Sequence, residues 1–113
     1  MNQSAKIIFK KVCETLNVPE EKVLSKTRKR NIVDARFLCV YFIKQKSINV
    51  TLVTIGEWFK RPTKAGAHSF VIYGIKQTEA LMKANIAFKE KYLLCKNALF
   101  YINEMNFFNI PQY

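Results

Sequence analysis

The sequence predicts an all-α fold, a small bundle of about six helices. Apolar residues recur at steps of three and four, and caps and breakers such as Ser4, Asn17, Pro19, Thr51 and Pro62 punctuate them at helix-length intervals. The one run that could suggest a strand, Phe37 to Ile43, lacks the alternation of a half-buried strand. With 113 residues, half of them apolar, the chain reads as a single domain over residues 1–113 with one modest core, unlike a disordered basic tail.

The first helix is expected over residues 4–16, capped by Ser4 and carrying Ile7, Ile8, Val12 and Leu16 on one side. Asn17 stops it. Pro19, Glu20 and Glu21 supply the proline and acids of a first helical turn, so a short second helix runs to about Leu24. A loop over Ser25 to Arg30 follows. The third helix is placed from an Asn31 cap to about Lys46 and is the central core helix, with Arg36 and Lys44 together on one face. Thr51 caps a fourth helix bearing Leu52, Ile55, Trp58 and Phe59. A turn from Lys60 to Gly66 leads to a fifth, starting near Gly66 to His68, that buries Val71, Gly74, Ile75 and Thr78 and turns Ser69, Tyr73 and Lys76 outward. Beyond Asn85 a last helix carries Ile86, Phe88, Tyr92, Leu93, Cys95, Leu99 and Ile102. An aromatic extension over about 96–113, with Phe107, Phe108, Ile110 and Tyr113, either packs back on the domain or offers a homodimer or protein-partner surface.

Nineteen Lys and Arg against eight acids give a formal charge of +11, a field that draws polyanions. Acids are absent between Asp34 and Glu57 and between Glu57 and Glu79, while Lys22, Lys26, Arg28, Lys29 and Arg30 crowd residues 22–30. A second cluster, Lys60, Arg61 and Lys64, lies in the Pro- and Gly-containing turn. Two basic loops on one small domain suggest a two-point clamp on phosphates.

Cys13, Cys39 and Cys95 are odd in number and set in apolar surroundings, so they read as buried free thiols of a reducing compartment. A single histidine and no paired cysteine spacing leave a metal site without ligands, and no carboxylate pair or nucleophile with a base is evident. No enzyme, cofactor or metal is expected. The longest apolar run falls far short of the roughly 20 residues of a bilayer span, and no secretory signal is recognisable, so a cytoplasmic location is expected.

Two helices joined by a turn, the second opening on a small polar cluster, make a helix-turn-helix candidate over the fourth and fifth helices. Leu24-Ser25-Lys26, Arg28 to Val33, Ala35-Arg36, Leu52, Ile55 to Phe59, His68-Ser69 and Val71 occur in an order that resembles the C-terminal DNA-binding domain of the bacterial replication initiator DnaA, over roughly residues 4–95. The resemblance implies a helical bundle with a Trp-repressor-like helix-turn-helix whose fifth helix is the recognition helix. It implies that Arg28, Lys29 and especially Arg30 enter the minor groove, where guanidinium groups suit a narrow, electronegative channel. Arg36 and Lys44 match positions near the phosphate backbone; a solvated or ion-pairing role is the alternative for each. His68 and Ser69 match the polar residues that open the recognition helix.

Two departures stand out. Ala67 and Phe70 occupy positions where the family has an acid and a threonine, so the polar part of that base-reading code is missing. The turn is also about four residues longer than the family's. No GxxxxGK loop occurs and the family's ATPase module is missing, so the chain reads as a free-standing binding domain. The expected function is sequence-influenced binding of double-stranded DNA in replication initiation or its regulation. The alternative is a protein-interaction module derived from a DNA-binding domain, with RNA binding ranked behind both.

Overall fold

The computed structural model describes residues 1–47 and 49–109, with side chains described as far as residue 101. Six helices and no strand occur among the described residues: α1 Gln3–Leu16, α2 Glu20–Val23, α3 Arg30–Lys46, α4 Leu52–Trp58, α5 Lys64–Ala84 and α6 Ile86–Asn109. The expected all-α bundle is what the chain forms.

Helix α1 starts one residue before the expected position because Asn2, not Ser4, caps it, its side chain accepting from the Ala5 amide at 2.8 Å. It ends on Asn17, whose left-handed backbone (φ 55°) returns the Val18 amide to the Cys13 carbonyl. Its inward face is Ala5, Ile8, Phe9, Val12 and Cys13; Ile7, expected inside, is exposed. Phe9 takes that place and meets Phe59 edge to face at 6.0 Å.

Helix α3 is the core helix, as expected. From Ile32 to Ile43 nearly every side chain is buried, including Asp34 and Arg36. α3 begins at Arg30 with Lys29 at its cap, so Asn31 lies inside the first turn rather than capping it. Thr51 caps α4 as expected, accepting from the Thr54 amide.

Helix α5 starts at Lys64, earlier than expected, because the Thr63 hydroxyl accepts from the Gly66 amide at 3.0 Å and closes the first turn. The connection after α4 is therefore residues 59–63, and Lys60 in it adopts φ 63°, a conformation that favours glycine. Against α4, Gly56 sits where an added Cβ would come within 2.5 Å of the Ala67 Cα, so the two helices cross in close contact. Val71, Gly74 and Thr78 continue α5's buried face; Ile75 is only half-buried. The Thr78 hydroxyl donates to the Gly74 carbonyl at 2.8 Å, which lets a polar side chain lie fully buried.

Helix α6 lays Phe88, Tyr92, Cys95 and Leu99 on the core, with Tyr92 stacked on Phe42 at 5.3 Å, while Ile86 and Leu93 face outward. This much of the C-terminal segment packs back. The side chains of Ile102, Phe107 and Phe108, and residues Ile110 and Tyr113 entirely, lie outside the described residues. The three cysteines are free and buried. No helix among the described residues is long and apolar enough to cross a membrane.

Candidate nucleic-acid interface

The first basic loop is shaped by a residue expected to face DNA. Arg36 is 6% exposed, and its guanidinium points back under the loop: Nε donates to the Val23 carbonyl at 2.8 Å, and Nη2 to those of Ser25 at 2.9 Å and Thr27 at 3.1 Å, with Lys22 further at 3.4 Å. One planar fork thus gathers four carbonyls of the short α2 and the turn after it, of which only that of Lys22 also accepts a backbone amide, from Ser25. Burial, then the charge of Arg61, push the Arg36 pKa down from its usual value. The group serves as an internal staple, the alternative to a place at the phosphate backbone, and its side chain also lines the cleft beside the loop.

Stapled in this way, residues 26–30 present every second side chain to one side. Lys26, Arg28 and Arg30 line a cleft of about 410 Å³ together with Val33, Arg36 and Phe37 of α3, Arg61 of the α4–α5 connection, and Phe70 and Tyr73 of α5. No acid lines it. Arg30 is placed by Asp34 four residues on, Nε to Oδ1 at 3.1 Å, yet its side chain is 61% exposed; the other Asp34 oxygen accepts from Lys91 Nζ at 2.9 Å. Lys91 thereby ties α6 to the start of α3.

The second basic cluster divides. Arg61 lies over the Phe70 ring, its guanidinium carbon 4.0 Å from the centroid, and Phe70 leans on Phe59 at 5.6 Å. Burial lowers the Arg61 pKa, and its Nε is buried without a hydrogen-bond partner. Lys60 is exposed and shares a second depression with Lys26 and Arg61, so the two basic loops lie side by side. Lys64, placed in the turn from the sequence, belongs to the first turn of α5, where its charge coincides with the positive end of the helix dipole.

On α5, His68, Ser69, Tyr73 and Lys76 are exposed, and Ser69, Tyr73 and Lys76 follow one another by steps of four and three along one face. Tyr73 also packs edge to face on Phe37 at 5.8 Å, which fixes it at the rim of the cleft. With the helix starting at Lys64, His68 and Ser69 sit in its second turn. Ala67 is fully buried against Gly56 and Phe70 is covered by Arg61, so both departures are packing residues.

Lys44 stands apart. Half-buried, its Nζ donates to the Val50 carbonyl at 3.1 Å and ties α3 to the entry of α4, away from the cleft. The structure brings Arg28, Arg30, Arg61 and Tyr73 to one cleft, with Lys29, Lys60, Lys64, His68, Ser69 and Lys76 on exposed surface outside its lining. Lys26 belongs with the first group, though the charge cluster and the Leu24-Ser25-Lys26 motif alone do not mark it as a site residue; the period-two spacing of Lys26, Arg28 and Arg30 is the signal that finds it.

Comparison with known proteins agrees with this architecture. The sequence model of the family described as "Bacterial dnaA protein helix-turn-helix" matches residues 5–78. Among curated proteins the chain is similar to the "Chromosomal replication initiator protein DnaA" of Mycoplasma genitalium, 31% identical over 84 residues, which is 74% of this chain and 18% of that protein. It is similar to the protein of the same name in Campylobacter concisus, 30% identical over 98 residues, 87% of this chain and 21% of that protein. The chain thus spans about a fifth of the length of these relatives.

Proposed function

Because the chain belongs to the bacterial DnaA helix-turn-helix family, we propose that it binds double-stranded DNA by laying the outer face of α5 in a major groove while the stapled loop enters the neighbouring minor groove. One observation carries the reading: α3, α5, the loop at 26–30 and the α4–α5 connection converge on a single cleft that holds five cationic side chains and no acid. A duplex offers such a cleft its sugar-phosphate ridge, flanked by one groove on each side. Arg28, Lys29 and Arg30 reach the minor groove, where a narrow channel concentrates negative potential. His68, Ser69, Tyr73 and Lys76 face the major groove. Lys26, Lys60, Arg61 and Lys64 neutralise phosphates.

Since Ala67 is buried and Phe70 is an apolar ring covered by Arg61, base reading rests on fewer polar groups than the family pattern supplies, and the preferred site is different or looser. Each good base contact discriminates by about 1–3 kcal/mol. The name of the relatives, chromosomal replication initiator, supports a role for this DNA binding in replication initiation or its regulation. No cofactor or catalysis enters the reading.

A fluorescence-anisotropy titration against duplex DNA, single-stranded DNA and duplex RNA, at several salt concentrations, tests it. Duplex DNA is the tightest ligand, with log affinity falling as log salt rises. The absence of binding near about 50 mM salt, or an affinity indifferent to salt, overturns it.

A further inference from the structure

Asp34 is a buried acid shared by two cations from different helices. Its side chain is 6% exposed; Lys91 of α6 donates to Oδ2 at 2.9 Å, and Arg30, the first residue of α3, brings its Nε to 3.1 Å from Oδ1. The two contacts differ in kind. Lys91 makes a hydrogen bond, whereas the buried Oδ1 accepts none, so charge alone holds Arg30 there, without a directed bond. Arg30 also stands at the positive end of the α3 dipole, which opposes its charge. Its side chain stays 61% exposed.

We propose that Lys91 is a positioning residue for DNA binding: by neutralising Asp34 from α6 it leaves Arg30 turned outward and available to the minor groove. The proposal rests on the minor-groove reading of Arg30 and adds α6 to it. A buried carboxylate stripped of a cation is strongly disfavoured. Without Lys91, Arg30 is the one cation left on Asp34 among the described residues, and a guanidinium can cover both carboxylate oxygens with a bidentate fork. The loose ion pair then closes and the side chain turns from solvent towards the protein. DNA has to break that pair before it can engage Arg30. Lys91 does not line the cleft, so its effect reaches the duplex through Asp34 and Arg30.

Proton–nitrogen NMR of the arginine side chains tests this without DNA. The Arg30 Nε–H signal, assigned by its loss in Arg30→Lys, exchanges with water about tenfold or more slowly in Lys91→Met than in the wild type, because the closed pair shields it. Lys91→Gln, which keeps a hydrogen-bond donor near Asp34 but no charge, gives the same protection and stands in if the methionine variant does not fold.

On an A·T-rich duplex Lys91→Met loses about as much affinity as Arg30→Ala does, and in the Arg30→Ala background it costs less than about twofold more. Lys89→Met, which removes the same charge from an exposed position on α6, has a smaller effect than Lys91→Met. Lys91→Arg behaves as the wild type. Adding Asp34→Asn to Lys91→Met leaves no charge to hold Arg30, and it returns both exchange and affinity to wild-type values. A failed minor-groove reading shows differently, as an Arg30→Ala variant that binds like the wild type, and the exchange measurement then decides on Lys91 by itself. Equal Arg30 exchange in the wild type and Lys91→Met, an equal affinity loss from Lys91→Met with and without Arg30, or no recovery on adding Asp34→Asn overturns the proposal.

Discussion

Replacing Arg36 with alanine separates two roles for this cation: phosphate contact and internal support. The guanidinium makes three bonds of 2.8–3.1 Å and one of 3.4 Å to loop carbonyls, from a side chain that is 6% exposed. Bonds from a charged donor contribute about 1.5–3 kcal/mol each, and losses within one fork are not additive. Counting the three short bonds at the lower figure gives a loss of roughly 3–5 kcal/mol for Arg36→Ala. For a domain of this size that is a fall in Tm of roughly 12–20 °C. Arg36→Lys keeps the charge but not the fork, and is expected to recover less than half of the loss. Thermal unfolding by circular dichroism gives the stability; a DNA titration at several salt concentrations, below the variant's Tm, gives the number of phosphates engaged. A variant with Tm within about 2 °C of wild type and a salt slope shallower by about one phosphate refutes the staple and returns Arg36 to the DNA surface.

Gly56→Ala brings a Cβ within 2.5 Å of the Ala67 Cα, which no rotamer relieves, so it costs about 3 kcal/mol or more and parts α4 from α5; a chemical denaturation midpoint equal to wild type contradicts that crossing. Lys60→Gly relieves a left-handed non-glycine backbone and gains roughly 0.5–1 kcal/mol after the added chain entropy of glycine is subtracted; a loss of stability in the same assay counts against the strain. Arg30→Ala weakens binding most at A·T-rich flanks, whereas equal losses on A·T-rich and G·C-rich duplexes argue against a minor-groove position. Burial holds Cys95 up at about 12 and Cys39 well above the usual thiol range. The folded state therefore favours the neutral thiols, and their stability is fully present below the unfolded-chain pKa near 8.5 and lost as pH rises towards 12. Tm is expected to fall between about pH 9 and pH 11 and to fall less in a variant with Cys39 and Cys95 replaced by alanine; equal falls in the two proteins contradict it.

What could be read from the sequence follows from how local each signal is. The Thr51 cap, the Asn17 stop and the central position of α3 rest on neighbours within a turn, and each was legible. Thr63 is just as local, but Pro62 and Gly66 around it read as a longer turn, which places the start of α5 too late and Lys64 in the loop. Ile7 and Phe9 flank Ile8 on α1, and only the position of Phe59 decides that the aromatic one goes inside. The site shows the same division more sharply. That residues 26–30 and 60–64 carry cations is composition; that they lie side by side is tertiary. Arg36 and Lys44 look like surface cations because nothing in their own helix shows the carbonyls they reach, 9–14 and 6 residues away. Ala67 likewise reads as a lost polar reader until Gly56 is placed against it.

The central claim is that the cleft between the stapled loop and α5 grips the phosphate ridge of a duplex. The most direct test compares the salt dependence of duplex binding for the wild type and for the triple variant Arg28→Ala, Arg30→Ala, Arg61→Ala. Each phosphate contact contributes about −0.9 to the slope of log affinity against log salt, so the triple variant is expected to bind more weakly with a slope shallower by about 2–3. Its helical circular dichroism stays unchanged, since Arg28 and Arg30 are exposed and Arg61, half-buried in the α4–α5 connection, makes no hydrogen bond through its buried Nε. A folded triple variant that binds duplex DNA with the wild-type affinity and slope contradicts the account.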